Sequence, residues 1–225
     1  MPIGAKMACF YSIRKKIPME VILPLTSTPF VDVGPDGCTV ENVGGVTSNI
    51  ELGQDPERFA RFIDEMHLVV KPKDTIEKHF TFSGDLLLHG WVRTRSSVEY
   101  SWRTIVSMGD FTNGILLRLT PGDSLFFGGD TVGQISLSWF PVEKWTYFAI
   151  MRKTGLVSFH TFTKTVDTVP ILRLSKVIRG TVNSSNSDLL IGKSLHSDRE
   201  YWSGDMFNIE LKSETPTDVS SAPFK

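Results

Sequence analysis

The chain has 225 residues, 40% of them hydrophobic, and its 24 basic and 25 acidic residues give a formal net charge of −1. This length suits one large all-β domain or two small ones, with enough apolar residues to build a core. Nucleic-acid-binding domains usually carry a basic excess, and this composition has none. No apolar run reaches the length that a membrane-spanning helix needs, so neither nucleic-acid binding nor membrane insertion is expected.

Residues 1–20 are predicted to form an N-terminal arm, because Pro2, Gly4 and Pro18 interrupt any regular period. The charges of this segment follow a short, broken apolar stretch, an order that does not fit a secretory signal peptide. The segment is too short to build its own core, so its large apolar side chains are expected to bind a partner. They are Met7, Phe10, Tyr11 and Ile13.

Residues 21–212 are predicted to form the folded domain. The stretch MEVILPLT (19–26) predicts a first strand. A short helix is predicted near residues 56–66, since Asp55 can cap its amides and Pro56 suits its first position. Apolar residues at helical spacing follow on one face of this segment. They are Phe59, Phe62, Ile63 and Met66.

From about residue 79 onward, apolar and polar residues alternate. The stretches ILLRL (115–119), ISLSW (135–139) and FNIELK (207–212) each place their apolar residues on one side, as half-buried antiparallel strands do. Turn-forming residues separate these stretches. The pattern predicts an all-β fold, a two-sheet antiparallel sandwich of the jelly-roll type.

The stretch WTYFAIMRKTGLVSFHTF (145–162) predicts a hairpin that turns at Lys153-Thr154-Gly155. Its first strand is apolar on both faces, so we expect it to lie centrally in a sheet and to be covered on both sides. A single core is expected to contain residues from this strand and from others. The predicted core residues are Trp91, Leu117, Leu137, Trp145, Ala149, Phe207 and Ile209.

The C-terminal residues, 213–225, have the sequence SETPTDVSSAPFK and follow the last predicted strand. This composition is polar and rich in Pro and Ser, which favours an extended terminal tail. Phe224 is an isolated aromatic residue in it and is a second candidate for contact with a partner.

The segments FTFSGDLLLHGWVR, GILLRL, EKWTYFAIMRKTGLVSFHTF, DLLIGKSL and YWSGDMFNIELKS occur in this order along the chain. They resemble the laminin G-like and pentraxin-like branch of the concanavalin A-like lectin/glucanase superfamily. The resemblance rests on Trp91-Val92, the strand from Trp145 to Ala149, the turn at Ile191-Gly192 and the turn at Trp202-Ser203-Gly204. It covers roughly residues 79–212 and implies a jelly-roll domain.

The glucanases of this superfamily would imply a strand whose alternating carboxylates share one face and act as acid and nucleophile. No such strand occurs here. Asp198 and Glu200 are two residues apart, but they lie in a turn before the last strand, where a pair of carboxylates is usually solvated. We therefore expect no catalytic residues, no enzyme activity and no organic cofactor.

The same resemblance implies that calcium is a candidate ligand at the rim of the sandwich, bound by Asp side chains and backbone oxygens. Four loop residues fit that chemistry, although turns favour Asp and Asn for conformational reasons as well. They are Asp110, Asn113, Asp123 and Asp130.

Sugar binding would use an exposed aromatic ring and polar neighbours. In the loop HSDREYWSGD, Trp202 and Tyr201 are the candidates for stacking on a sugar ring. The position of Trp202 also matches a structural aromatic residue of the family, which would bury it instead. Both alternatives are open on the sequence alone.

These patterns lead to three functional hypotheses. The first is a non-catalytic structural protein of an assembly, docking on neighbouring subunits as a homo-oligomer or capsid lattice through its arms. Its sharpest form is a phage virion component, a capsid decoration or tail protein assembled in the host cytoplasm. The second is a lectin-like module that binds surface glycans, with or without calcium. The third is a divergent glucanase, and fold-level resemblance does not choose among them.

Overall fold

The computed structural model describes residues 20–35, 37–53, 55–72, 85–95, 101–109, 114–129, 133–138, 140–163, 167, 171–177 and 187–213. Within these ranges the chain forms strands and no helix. The strands are β1 (Glu20–Leu23), β2 (Thr39–Val43), β3 (Thr47–Ile50), β4 (Arg58–Phe62), β5 (His67–Lys71), β6 (Leu86–Thr94), β7 (Arg103–Met108), β8 (Ile115–Leu119), β9 (Leu125–Gly129), β10 (Gly133–Leu137), β11 (Thr146–Lys153), β12 (Leu156–Thr163), β13 (Ile171–Val177), β14 (Leu189–Ile191) and β15 (Gly204–Lys212).

The strands form two antiparallel sheets. Sheet A has the order β13-β12-β11-β6-β15-β4-β3, and β1 pairs with the second half of β15. Sheet B has the order β10-β9-β8-β7-β14-β5-β2. Consecutive strands of the chain repeatedly cross from one sheet to the other, for example from β5 to β6 and from β14 to β15. The predicted two-sheet antiparallel sandwich is confirmed.

The inter-sheet core consists of the side chains that point inward from both sheets, which are every second residue along most strands. In β8, Ile115, Leu117 and Leu119 all point into it, as the alternation of ILLRL predicts. In β11, Phe148 and Ile150 belong to this core. Burying one large aliphatic or aromatic side chain contributes roughly 1.5–3 kcal/mol, so this cluster is the main source of the sandwich's stability.

Sheet A also carries a second apolar cluster on its other face, which we call the outer cluster. Its seven buried members are Phe59, Leu87, Trp91, Trp145, Tyr147, Ala149 and Phe162. The rings of Phe59 and Trp145 meet edge to face at 5.4 Å, and those of Trp91 and Phe162 at 5.8 Å. The predicted single core is therefore wrong: Leu117 and Ile209 lie between the sheets, whereas Trp91, Trp145 and Ala149 lie in the outer cluster.

The hairpin predicted at residues 145–162 is confirmed, and its first strand, β11, is a central strand covered on both faces. β11 pairs with β6 on one side and with β12 on the other. The turn between β11 and β12 uses Thr154 and Gly155, both with positive φ, at 48° and 84°. Two consecutive residues of positive φ match the right-handed twist of the flanking strands, which is why such turns favour Gly.

The predicted helix near residues 56–66 is wrong. Residues 58–62 form β4, which pairs with β3 and with β15. Ala60 and Phe62 face the inter-sheet core while Phe59 faces the outer cluster, so the segment follows a period of two. Short apolar runs do not separate the two periods, because a three-residue spacing such as that of Phe59 and Phe62 fits a helix as well.

The last strand also departs from the prediction that Phe207, Ile209 and Leu211 share one face. A β-bulge in β15, between Phe207 and Glu210 against β6, shifts the alternation. As a result Phe207 packs on the outer cluster, while Ile209 and Leu211 enter the inter-sheet core. Gly90 in β6 leaves room for the bulge, because a Cβ there would stand 2.5 Å from Cδ1 of Ile209.

The assembly hypothesis depends on the two terminal arms. Their apolar residues lie outside the described part of the chain. This applies to Met7, Phe10, Tyr11, Ile13 and Phe224. In the described ranges, no helix has the length and hydropathy to cross a membrane.

Candidate functional site

A depression of about 290 Å³ opens at one rim of the sandwich. Three loops that are distant in sequence meet there: the turn between β4 and β5, the residue pair before β7, and the loop between β14 and β15. We call it the rim depression. Its lining residues are Asp64, Glu65, Ser101, Asp198, Arg199, Tyr201 and Ser203.

The turn between β4 and β5 presents two carboxylates. Asp64 adopts a positive φ of 54°, a conformation that Asp and Asn tolerate better than other side chains. The N–H of Met66 donates to the carbonyl of Ile63 at 3.2 Å and closes the turn. A ring nitrogen of His67 lies 2.9 Å from the carbonyl oxygen of Glu65, so the backbone is held while both carboxylates stay exposed.

The loop between β14 and β15 is held closed at its base. The N–H of Trp202 donates to the carbonyl of Gly192 at 2.8 Å, and Lys193 and Tyr201 form an isolated β-bridge. Gly192 has a φ of 87°, and a Cβ there would stand 2.7 Å from the ring of Phe62. Only glycine fits that position, so the turn at Ile191-Gly192 sets where the loop leaves the sheet.

Tyr201 is the aromatic residue of the rim depression, and its side chain is half-buried. Its ring lies 6.1 Å from the ring of His67 and 5.4 Å from the Nζ atom of Lys193. The same Lys193 ammonium lies 3.5 Å from Asp198. These neighbours support the ring from the protein side and leave part of it accessible from the depression.

Trp202 occupies the opposite environment. Its side chain is fully buried and belongs to the inter-sheet core. A ring with no accessible face cannot stack on a sugar, so of the two aromatic candidates only Tyr201 is placed to meet a ligand. Gly204, two residues later, is required by the same packing, since a Cβ there would stand 3.0 Å from Nε1 of Trp202 and 2.3 Å from the carbonyl of Arg93.

A second partly exposed aromatic residue, Trp102, lies next to the depression. Trp102, which follows the lining residue Ser101, is half-buried and stacks under Arg118, whose guanidinium carbon lies 3.7 Å from the ring centroid. Arg118 also donates to Glu200 at 2.9 Å. Arg118 therefore contacts both Glu200, the residue before Tyr201, and the ring of Trp102.

The two carboxylates that sequence analysis considered for catalysis have separate roles. Asp198 has a side chain that is 96% exposed at the mouth of the depression. Glu200 is engaged by Arg118. A hydrolytic pair needs two carboxyl groups that both face the scissile bond. Here Asp198 lies 3.5 Å from Lys193 and Glu200 pairs with Arg118, so each carboxylate already has a cationic partner.

Of the four residues proposed for calcium, Asp123 alone lies in the described part of the chain. Asp123 forms an ion pair with Arg103. Asp110, Asn113 and Asp130 lie outside the described residues. Among the described residues there is no group of three or more His, Cys, Asp or Glu side chains arranged to hold a metal ion.

Sequence reasoning missed most of the depression. Asp64 and Glu65 were assigned to the predicted helix, and Ser101, Arg199 and Ser203 carried no signal. The contacts that bring them together come from strand pairing, since Gly204 in β15 lies opposite Phe62 in β4. Of the lining residues, Tyr201 and Asp198 were the ones that the sequence placed as candidates, from their position in the loop before the last strand.

The sequence matches no protein-family model and no curated protein. Its fold, however, is similar to that of solved botulinum neurotoxin binding domains. The serotype G binding domain matches with a TM-score of 0.67 at 15% identity, over 90% of this chain and 50% of that one. At this identity the similarity establishes the fold, a β-sandwich jelly roll, as the superfamily resemblance implied.

Two further structures of this group are also similar to this chain. A type C neurotoxin whose cell entry depends on two ganglioside molecules matches with a TM-score of 0.62 at 13% identity, over 88% of this chain and 48% of that one. A DC binding domain in complex with rat synaptotagmin II matches with a TM-score of 0.60 at 11% identity, over 87% and 48%. The chain spans about half the length of the solved chains that it matches.

Proposed function

We propose that the protein is a lectin-like module that binds a glycan at the rim depression. The observation that carries the proposal is the partly buried Tyr201 lining a concave surface together with carboxylates, hydroxyls and one guanidinium. The apolar face of a pyranose can stack on such a ring, while its hydroxyls exchange hydrogen bonds with Asp198, Arg199 and Ser203. Loops at one end of a sandwich are where binding residues are commonly placed on a rigid scaffold.

The similar solved structures support the proposal without assigning the ligand. Cell entry of the type C neurotoxin depends on two ganglioside molecules, and a DC binding domain was solved in complex with SialylT. The match extends over half of each, so it does not assign those ligands to the matched half. Support for the rim depression therefore comes from its own residues.

The test is binding to a panel of neutral, sialylated and amino-sugar glycans, with wild-type protein and a Tyr201→Ala variant. The proposal expects binding of at least one glycan, weakened about tenfold in the variant, since loss of an aromatic contact of this kind costs about 1.4 kcal/mol. Leu52→Ala is the control, because Leu52 is 83% exposed between β3 and β4, at the opposite end of β4 from the rim depression. Absence of binding throughout the panel, or equal affinities for wild type and Tyr201→Ala, would overturn the proposal.

A second candidate is the assembly role, in which the protein docks on neighbouring subunits. In the described part of the chain, the observation that favours it is edge strand β13, where Leu172 is 53% and Val177 is 64% exposed, beside Leu156 on β12, which is 45% exposed. An edge strand with exposed apolar side chains is a template for pairing with another chain. Partner docking through residues 1–20 and 213–225, and a place in a phage virion, are the more specific forms of this proposal.

The assembly proposal is tested by deleting residues 1–18 and, separately, by Leu172→Lys in β13. We expect both variants to unfold thermally as the wild type does and to sediment as smaller species. If the deletion lowers the unfolding temperature, the N-terminal segment is part of the fold. If the wild type sediments as a monomer at every concentration, the assembly proposal fails.

A further inference from the structure

The rim depression has an unequal charge balance. Of the seven residues described as lining it, three carry carboxylates and one carries a guanidinium. Asp64 and Glu65 stand exposed on one wall, and Asp198, with 96% of its side chain exposed, stands on the other. An incoming ligand therefore meets carboxylates on two sides.

The other cations near the depression already have partners. Lys193 lies 3.5 Å from Asp198 and over the ring of Tyr201. Arg118 donates to Glu200 at 2.9 Å and is stacked against Trp102. Each of these pairs would have to be broken before its cation could bind a carboxylate of a ligand, which leaves Arg199 among the described lining residues.

From this balance we infer, on the basis of the proposed glycan site, that the depression selects neutral or cationic sugars and discriminates against sialylated ones. Neutral hydroxyls donate to carboxylates, and a protonated amine at a sugar carbon would be attracted by them. The carboxylate of a sialic acid would be repelled, with Arg199 as its only counter-ion among the lining residues described.

The size of the effect follows from the exposure of the charges. Exposed like charges about 6 Å apart in water interact weakly and are screened further by salt. Lys193 offsets Asp198, and Arg199 offsets one of the two carboxylates at positions 64 and 65, so one unbalanced carboxylate remains. It should reduce affinity for a sialylated ligand by roughly twofold to threefold at low ionic strength, and by less in high salt. The same fields should raise affinity for an amino sugar by a comparable factor.

The experiment uses three probes of similar size: lactose, sialyllactose and the disaccharide of glucosamine. Affinities are measured for the full chain by calorimetry or NMR titration at low and at high salt. The variant Asp64→Asn/Glu65→Gln removes two charges and keeps both shapes, and Asn tolerates the positive φ of residue 64. Glu57→Gln is the control, because Glu57 is exposed at the start of β4, at the opposite end of that strand from Asp64.

The inference predicts the affinity order glucosamine disaccharide, lactose, sialyllactose, with the differences reduced by salt and by the double variant but not by Glu57→Gln. Tighter binding of sialyllactose than of lactose would overturn the charge inference and leave the glycan-binding proposal standing. Equal binding of all three probes, unaffected by salt, would overturn it too. If none of the three binds and the larger panel is also negative, the proposed function itself fails.

Discussion

The outer cluster of sheet A and the rim depression use aromatic residues in opposite ways. In the outer cluster, Trp91 lies on β6 and Trp145 directly precedes β11, and they are 7% and 6% exposed. In the rim depression, Tyr201 lies on a loop and keeps part of its ring accessible. The outer cluster has more aromatic residues, but they are buried and expose little ring surface to a ligand. Accessibility decides which ring can bind, and a loop position does not guarantee it, since Trp202 on the same loop is fully buried.

The two regions also differ in the exposure of their polar atoms, which are buried in the first and exposed in the second. Among the described residues, the hydroxyl of Tyr147, Nε1 of Trp145 and Nδ1 of His89 are buried without a hydrogen-bond partner. Burial raises the pKa of the Tyr147 hydroxyl well above its ordinary value, with a smaller contribution from the charge of Glu210. In the rim depression the carboxylates are exposed and face solvent. The first region stabilises the fold and the second is free to exchange water for a ligand.

The largest expected effect that would test this comparison is on stability. Trp145→Ala removes a buried ring from the outer cluster and should lower the free energy of unfolding by roughly 3–5 kcal/mol. Chemical denaturation monitored by circular dichroism measures it. Tyr201→Ala should lower it by about 1 kcal/mol or less, because its side chain is already half-exposed. Similar losses for the two variants would contradict the distinction between the regions.

The next effect concerns the loop that carries Tyr201. Gly192→Ala places a Cβ against the ring of Phe62 and forces a side chain into a φ of 87°. We expect a loss of roughly 1–3 kcal/mol in the free energy of unfolding, together with weaker glycan binding. Gly122→Ala is the control, since a Cβ there meets its nearest atom at 4.0 Å. Unchanged stability and binding in Gly192→Ala would show that this turn does not position the loop.

A smaller effect should appear as acid sensitivity on the outer face of sheet A. Burial by itself would raise the pKa of Glu210, but hydrogen bonds and ion pairing with His89 and Lys212 outweigh it and lower the pKa to about 2, from a usual 4.5. Because the folded-state pKa is the lower one, this carboxylate stabilises the fold above pH 4.5, and its contribution is lost as the pH falls toward 2.

The measurement is the free energy of unfolding of wild type and Glu210→Gln between pH 6 and pH 2. After allowance for solvent screening, we expect the wild type to lose about 1–2 kcal/mol more than the variant over that range. Glu65→Gln, an exposed rim residue, should follow the wild type. An identical acid dependence in wild type and Glu210→Gln would show that the pairing with His89 and Lys212 does not stabilise the fold.

The sequence predicted the sandwich because its strongest signal is local. Period-two alternation in ILLRL and the two apolar faces of residues 145–151 each follow from which residues neighbour one another along the chain. The helix prediction was wrong at residues 58–62, because the three-residue spacing of Phe59 and Phe62 is typical of one helix face. In the structure the two rings lie on opposite faces of a strand, and pairing with the distant β15 stabilises that strand. The bulge at Asn208 was equally invisible, since it depends on Gly90 of the neighbouring strand.

The rim depression was less predictable than the fold for a physical reason. Its carboxylates at positions 64 and 65 meet Tyr201 only because β4 pairs with β15, a contact between distant parts of the chain. No local pattern marks that meeting. Tyr201 was identified by its loop, and Trp202 beside it shows that a loop position alone is not sufficient, because its ring is fully buried.

The most direct test of where a ligand binds is backbone amide mapping by NMR. The isotope-labelled chain would be titrated with the glycan that binds most tightly in the panel. We predict shift changes concentrated at Asp64, Glu65 and residues 198–203, with little change at Trp91 and Trp145. Changes concentrated on the strands of the outer cluster instead, with residues 198–203 unaffected, would contradict the assignment of the site to the rim depression.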